Sequence, residues 1–178
     1  MPSVAELVTA LADPRGRPLE RHELISLAEG VGARADLWAP QLDTAACTRT
    51  YAALHRDASV DVWALFWVPE ADTGWHDHDT SSGAVHVVEG ELEEHVLRLG
   101  RAERRMRHAA GGAFAFGPSH IHRLTCAVPR AVSIHAYSPP LWRLGQYSVD
   151  PDGILSRLSV SYADELRPLD ALALPSAA

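Results

Sequence analysis

From about Thr48 to Tyr147 the chain is a succession of short runs rich in β-branched and aromatic residues: "VDVWALFWV", "GAVHVVEG", "EEHVLRL", "GGAFAFGP" and "AVSIHAYSP". Glycine, proline or charged turn residues cut each run off. This texture constrains the fold more than any other feature, because alternating side chains lie on opposite faces of a strand, whereas a helix needs a period of 3.6. Many short strands joined by Gly-bearing turns predict an antiparallel sandwich or a small barrel. A barrel of about eight strands is just wide enough to hold one small ligand at its mouth.

The beginning of the chain has a different period. Val4, Leu7, Val8 and Leu11, then Leu19, Leu24, Ile25 and Leu27, recur at helical spacing, and Pro14 to Pro18 breaks them into two helices. Ser3 and Glu6, three apart, predict a capping box at the first. At 178 residues and 47% hydrophobic, the chain is long enough for one core and short for two. We therefore expect a mainly β, single-domain fold. Residues 1–45 form a helical segment packed on a barrel of residues 46–160, and 161–178 form a tail. The stretch from Gly153 to Leu174 is expected to hold a strand and a short helix.

A net charge of -7 without a run of Lys or Arg argues against nucleic acid or an anionic membrane as partner. The expected ligand is a small molecule. No basic-then-apolar leader and no stretch of about 18 apolar residues is present, so a cytoplasmic monomer or small homo-oligomer is expected. The two cysteines, Cys47 and Cys126, form no CxxC-type pair, which leaves a metal only His and carboxylate ligands.

Two segments supply such ligands. In "WHDHD", His76 and His78 are two apart and share one face of a strand, while Asp77 points away. In "GPSHIHRL", Gly117-Pro118 ends a strand and His120 and His122 again lie two apart. Three imidazoles from two strands cap one side of a first-row ion and leave positions open for substrate and dioxygen. His86, between Ala84 and Val88, is expected to pack or to support such a centre. His95, beside Glu93 and Glu94, is expected to be solvated.

The segments "GWHDHDTSSGAVHVVEGEL" and "HIHRLTCAVPRAVSIHAYSPPL" together resemble the cysteine dioxygenase family, thiol dioxygenases of the cupin fold, over about Arg49 to Tyr147. The resemblance implies Fe(II) ligated by His76, His78 and His122, with nickel or another first-row metal suiting the same donors. It implies a relay of Ser133, His135 and Tyr137, and a small thiol and dioxygen as partners. The implied activity is oxidation of the sulfur of L-cysteine or a close thiol to a sulfinic acid. Two other readings stand beside it: a cysteine-oxidising cupin giving another sulfur product, such as a sulfonamide, and a non-catalytic cupin binding metal or a small molecule. The relay spacing agrees with strand geometry, since Ser133, His135 and Tyr137 share one face while Val132, Ile134 and Ala136 fill the other.

One difference from ordinary metal-binding cupins supports the three-histidine reading, and two departures from the pattern of the resembled family bear on cross-link and substrate. The glutamate that ordinary metal-binding cupins carry four or five residues after the second histidine is replaced by Ser82 and Gly83. The cysteine that animal enzymes cross-link to the relay tyrosine also falls on Gly83, so a bacterial type without the cross-link is expected. The arginine that holds a substrate carboxylate falls on Arg49 by distance or on Arg56 by ungapped alignment. Arg123 is expected to be structural, Arg143 to lie beyond the closing turn, and Cys126 to be a small buried hydrophobe.

Overall fold

A computed structural model describes residues 2–13, 16–98, 100–150 and 155–161. In chain order it contains helices α1 (Val4–Leu11), α2 (Arg21–Gly32) and α3 (Ala35–Trp38), a 3-10 turn, and then the strands. These are β1 (Thr50–Arg56), β2 (Asp61–Trp67), β3 (Trp75–Asp77), β4 (Ser82–Glu89), β5 (Glu91–Val96), β6 (Arg104–Ala109), β7 (Ala113–Phe116), β8 (His122–Thr125), β9 (Ala131–Ser138), β10 (Arg143–Val149) and β11 (Leu155–Ser161). They form two antiparallel sheets, one in the order β1-β2-β9-β4-β7 and the other in the order β11-β10-β3-β8-β5-β6.

The expected mainly β architecture is what the chain adopts, and the side-chain period explains its layers. On β2, Val62, Ala64 and Phe66 face the helices, with Val4, Val8, Leu24, Leu27, Ala28 and Val31 packed against them. The intervening Trp63, Leu65 and Trp67 face the second sheet, in a core shared with Val85, Leu92, Phe116, Leu124 and Leu144. Strand β9 divides the same way: Val132, Ile134 and Ala136 lie under the helices, while Tyr137 joins the inner core. These strands read as continuous apolar runs because both of their faces are covered. Each such Val, Leu or Phe contributes about 1.5–3 kcal/mol by burial.

The Ser3–Glu6 capping box forms, with Ser3 N donating to Glu6 Oε2 at 2.6 Å and Glu6 N to Ser3 Oγ at 3.3 Å. Helix α2 runs past the expected Leu27 to Gly32. There a Cβ would collide with the ring of His86, so the helix end seats directly on β4. His86 is thereby a packed histidine on the outer face of its strand. Two strands, β6 and β10, were not expected, whereas the short β3 is the strand expected to carry His76 and His78. The polar "RRMRHA" of β6 lies at the edge of the second sheet with one face in solvent, and β3 is only three residues long. The hairpin of β10 and β11 completes the other edge. The strand expected after Gly153 is β11; the helix expected after it lies outside the described residues.

Candidate metal centre

Strand β3 is bracketed by two left-handed residues, Gly74 (φ 67°) and Asp79 (φ 52°), which turn the chain sharply at each end. This isolates a short segment that presents His76 and, one residue past its end, His78 on the inner face. Directly opposite His76, as its Cα partner on the neighbouring strand, is His122 of β8. The three imidazoles converge, with ring centroids 4.8, 4.8 and 5.2 Å apart and exposures of 2, 1 and 1%. One nitrogen from each lies within 4.8 Å of the other two.

The remaining nitrogens decide what the cluster can do. Nδ1 of His76 faces the Gly74 carbonyl at 3.0 Å, and Nδ1 of His122 faces Glu94 Oε1 at 2.9 Å. Nε2 of His122 and Nδ1 of His78 are buried with no hydrogen-bond partner, a cost of about 1–3 kcal/mol each that a bound cation would relieve. Burial pushes the pKa of all three below the ordinary histidine value, so they are neutral lone-pair donors. Three neutral imidazoles fit a first-row divalent ion and leave positions open. The glutamate absent at Ser82 and Gly83 is not replaced, since Glu94 touches the far nitrogen of His122. Gly83 itself is packed over: a Cβ there would lie 2.5 Å from the Phe116 ring and 3.0 Å from Tyr137 Cδ1. The Phe116 ring fills that space and stacks on His78 at 4.5 Å.

Two carboxylates fix the segments that carry the imidazoles. Asp77 points away from the cluster, as its position between two ligands requires. It accepts from Arg157 Nε and Nη2 at 2.8 and 2.9 Å, Tyr147 OH at 2.6 Å, and the backbone nitrogens of Asp79 and Gly145 at 2.9 and 3.1 Å. Burial raises its pKa, but Arg157 and Tyr147 outweigh that and hold it at about 2. Glu94, from β5, is 1% exposed and accepts from His108, His120 and His122. Burial opposes its charge, yet the three imidazoles hold its pKa far below the carboxylate range.

Facing this cluster from the first sheet is the row expected on β9. Trp67 Nε1 donates to Ser133 Oγ at 2.8 Å, Ser133 Oγ lies 2.9 Å from His135 Nε2, and His135 Nδ1 lies 3.0 Å from Tyr137 OH. Indole nitrogen can only donate, which leaves the serine proton for His135 Nε2. His135, pushed to about 3 by burial and then by His122 and Arg49, is neutral, so its Nδ1 proton goes to the tyrosine oxygen. The Tyr137 proton therefore points onward. Its ring is stacked 5.2 Å from that of His78.

The two arginines separate. Arg49, half-buried just before β1, has its guanidinium 5.4 Å from the Trp67 ring centroid, and its charge lowers the proton affinity of both His76 and His135. Arg56 instead meets the fully buried Asp61 at 3.0 Å, donates to the Leu141 carbonyl at 3.0 Å and lies 4.2 Å from the Trp142 ring. Arg123 pairs with Asp72, and Arg143 is exposed. Cys126 is buried against the Val128 carbonyl and burial raises its pKa, which suits a small hydrophobe. His95 was expected in solvent but is 9% exposed: on the face of β5 opposite Leu92, Glu94 and Val96, its ring meets Trp75 edge-on and lies 3.6 and 3.7 Å from the Glu103 and Glu93 carboxylates. Glu94, His108 and Trp67 went unnoticed in the sequence. For Glu94 a signal existed, since Leu92, Glu94 and Val96 alternate as one inward face.

The sequence matches the family model described as cysteine dioxygenase type I over residues 2–150. No curated protein matches it. Among solved structures, it is similar to a protein with a double-stranded β-helix domain from Klebsiella pneumoniae, at 16% identity and a TM-score of 0.50 over 57% of this chain and 80% of that one. It is also similar to a cupin superfamily protein from Desulfitobacterium hafniense (9% identity, TM-score 0.49, 57% and 87% covered) and to KdgF from Halomonas sp. (19%, 0.45, 53% and 82%). The first of these likenesses concerns the fold alone, a double-stranded β-helix of two facing sheets. No described helix is long and apolar enough to cross a membrane.

Proposed function

The chain belongs to the cysteine dioxygenase type I family, and from that premise we propose that it is an iron-dependent thiol dioxygenase. Its reaction is the conversion of the sulfur of L-cysteine, or of a close small thiol, to a sulfinic acid. The observation that carries the reading is the meeting of two rows: a directed Ser133–His135–Tyr137 chain ends against the His76, His78, His122 cluster. A metal-storage or sensing protein would need the imidazoles but not the directed chain.

His76, His78 and His122 would hold the iron. When bound there, iron(II) would supply the redox chemistry by which dioxygen oxidises the thiol sulfur. The reaction RSH + O2 → RSO2H is balanced without an external reductant, both oxygen atoms ending on sulfur. The protein's part is orientation, exclusion of water and one hydrogen bond. Tyr137, its ring beside those of the buried Trp63 and Phe116, presents its O–H to the charge developing on the oxidised sulfur group, away from water. Ser133 and His135 keep that O–H pointing inward. Arg49 holds the substrate carboxylate, since its guanidinium is anchored on Trp67 beside the relay, whereas Arg56 is committed to Asp61.

Protein purified without added metal is expected to contain iron and to consume one dioxygen per thiol, with mass spectrometry showing two added oxygens. Cysteine, cysteamine and mercaptopropionate form the panel and cysteine sulfinate is the control. Arg49→Ala should raise the Michaelis constant for cysteine by about 30-fold, the equivalent of a charged contact of about 2 kcal/mol, and change cysteamine little. Absence of oxygen uptake from every thiol by iron-loaded protein would sink the dioxygenase reading. An oxidised product other than a sulfinate would move the chain to the sulfonamide-type alternative, and equal effects on cysteine and cysteamine would remove Arg49 from the substrate.

A further inference from the structure

On the inner face of β5, Leu92 and Val96 are 0 and 8% exposed, as a core strand requires, yet between them stands a carboxylate that is 1% exposed. Glu94 therefore occupies a position that packing alone would give to an aliphatic residue, and an ion buried there is costly unless its oxygens are satisfied. They are. The cross-strand partners of Glu94 are Leu124 on β8 and Met106 on β6, so His122 and His108, each two residues away, are its diagonal neighbours on the same face. Oε1 receives His122 Nδ1 and His120 Nε2, both at 2.9 Å, and Oε2 receives His108 Nε2 at 3.1 Å. The outer two rings are clamped from the opposite sheet, His108 under Phe114 at 4.0 Å and His120 under Phe116 at 5.5 Å.

A carboxylate only accepts, so each nitrogen facing it carries a proton. For His122 this has a defined consequence. An imidazole donating through Nδ1 keeps its lone pair on Nε2, the atom left without a partner toward His76 and His78. We propose that Glu94 is a positioning residue of the metal centre, fixing the tautomer and ring orientation of His122, and that His108 and His120 hold the carboxylate in place for that task. Imidazoles backed by a carboxylate are stronger ligands, and loss of the backing partner costs about 10–100-fold in metal affinity.

The inference rests on His122 being a ligand, and the test separates the two. Metal-free full-length protein is titrated with Co(II), a spectroscopic probe of nitrogen ligation. Wild type is expected to bind one Co(II), Glu94→Gln to bind it about 10–100-fold more weakly with a shifted visible spectrum, and His122→Ala to lose tight binding. In the His122→Ala background, Glu94→Gln should change residual binding no further. Nitrogen-15 spectra of metal-free wild type, which need no variant to fold, should show His122 as the Nδ1–H tautomer. Unaltered Co(II) affinity in a folded Glu94→Gln protein, or an Nε2–H tautomer for His122, overturns the inference while leaving the ligand set intact. Two Co(II) bound per chain would overturn it differently, making Glu94 and His120 ligands of a second ion. Tight binding that survives His122→Ala would instead overturn the ligand assignment itself.

Discussion

His76 and His78 issue from a strand of three residues, whereas Ser133, His135 and Tyr137 stand on a strand of eight that is buried along its whole length. Both rows use the same two-residue spacing. Their supports differ. The metal row owes its position to side chains from elsewhere: Asp77 is held by Arg157 and Tyr147 from the β10–β11 hairpin, and Glu94 reaches His122 from β5. The relay row sits at the centre of its sheet, on β9 between β2 and β4, and Trp67 of β2 donates into it. A row of ligands needs neutral lone pairs aimed at an empty point, which nothing in a core would fix by itself. A row that moves or holds one proton needs only to be packed in line.

The sharpest break of this contrast is removal of a ligand. His76→Ala, His78→Ala and His122→Ala are each expected to lose stoichiometric metal while remaining folded, because the two cores rest on apolar burial. Metal analysis together with circular dichroism checks this. His120→Ala should keep the metal, and the reverse pattern would transfer the third ligand to His120. Next in size is Tyr137→Phe, which should retain metal and fold, since the ring still meets Trp63 edge-on at 5.4 Å, but lower turnover by about 10- to 1000-fold. An unchanged rate with iron bound would reduce the relay row to core packing.

The smallest effect is on stability, and both rows contribute in the same direction. His135, at about 3, and His76, His78 and His122, all held below the ordinary histidine value by burial, are neutral in the fold but charge in the unfolded chain below about pH 6.5. The unfolded state then binds more protons, so stability rises with pH and is lost as pH falls below that value. The slope is up to about 1.4 kcal/mol per pH unit for each such histidine. Acidic groups held at about 2, such as Asp57 and Asp77, add to the loss only below the ordinary carboxylate range. Urea unfolding of metal-free protein at pH 7.5 and 5.5 should show the lower midpoint at pH 5.5. A higher one would mean that the cluster is charged when folded.

Much of this was legible before any coordinates. The alternation of "VDVWALFWV" and "AVSIHAYSP" announces strands, and the two-residue spacing of His76 with His78, and of Ser133 with His135 and Tyr137, announces which side chains share a face. Less legible was β6, whose edge position allows a polar sequence. His95 looked solvated because its neighbours in sequence are acidic, but its neighbour in space is Trp75.

The features readable from the chain alone are local: helix after capping box, strand after turn, and the face each side chain takes, all set by backbone geometry over a few residues. The tertiary structure alone decided that Arg56 is paired with Asp61 while Arg49 lies over Trp67, and that Glu94 meets His122. Those outcomes depend on contacts such as Glu94 with His122 and Asp77 with Arg157, 28 and 80 residues apart in the chain. No short-range period encodes them, because the pairing of distant strands sets which buried polar groups meet, and burial then requires that they meet as partners.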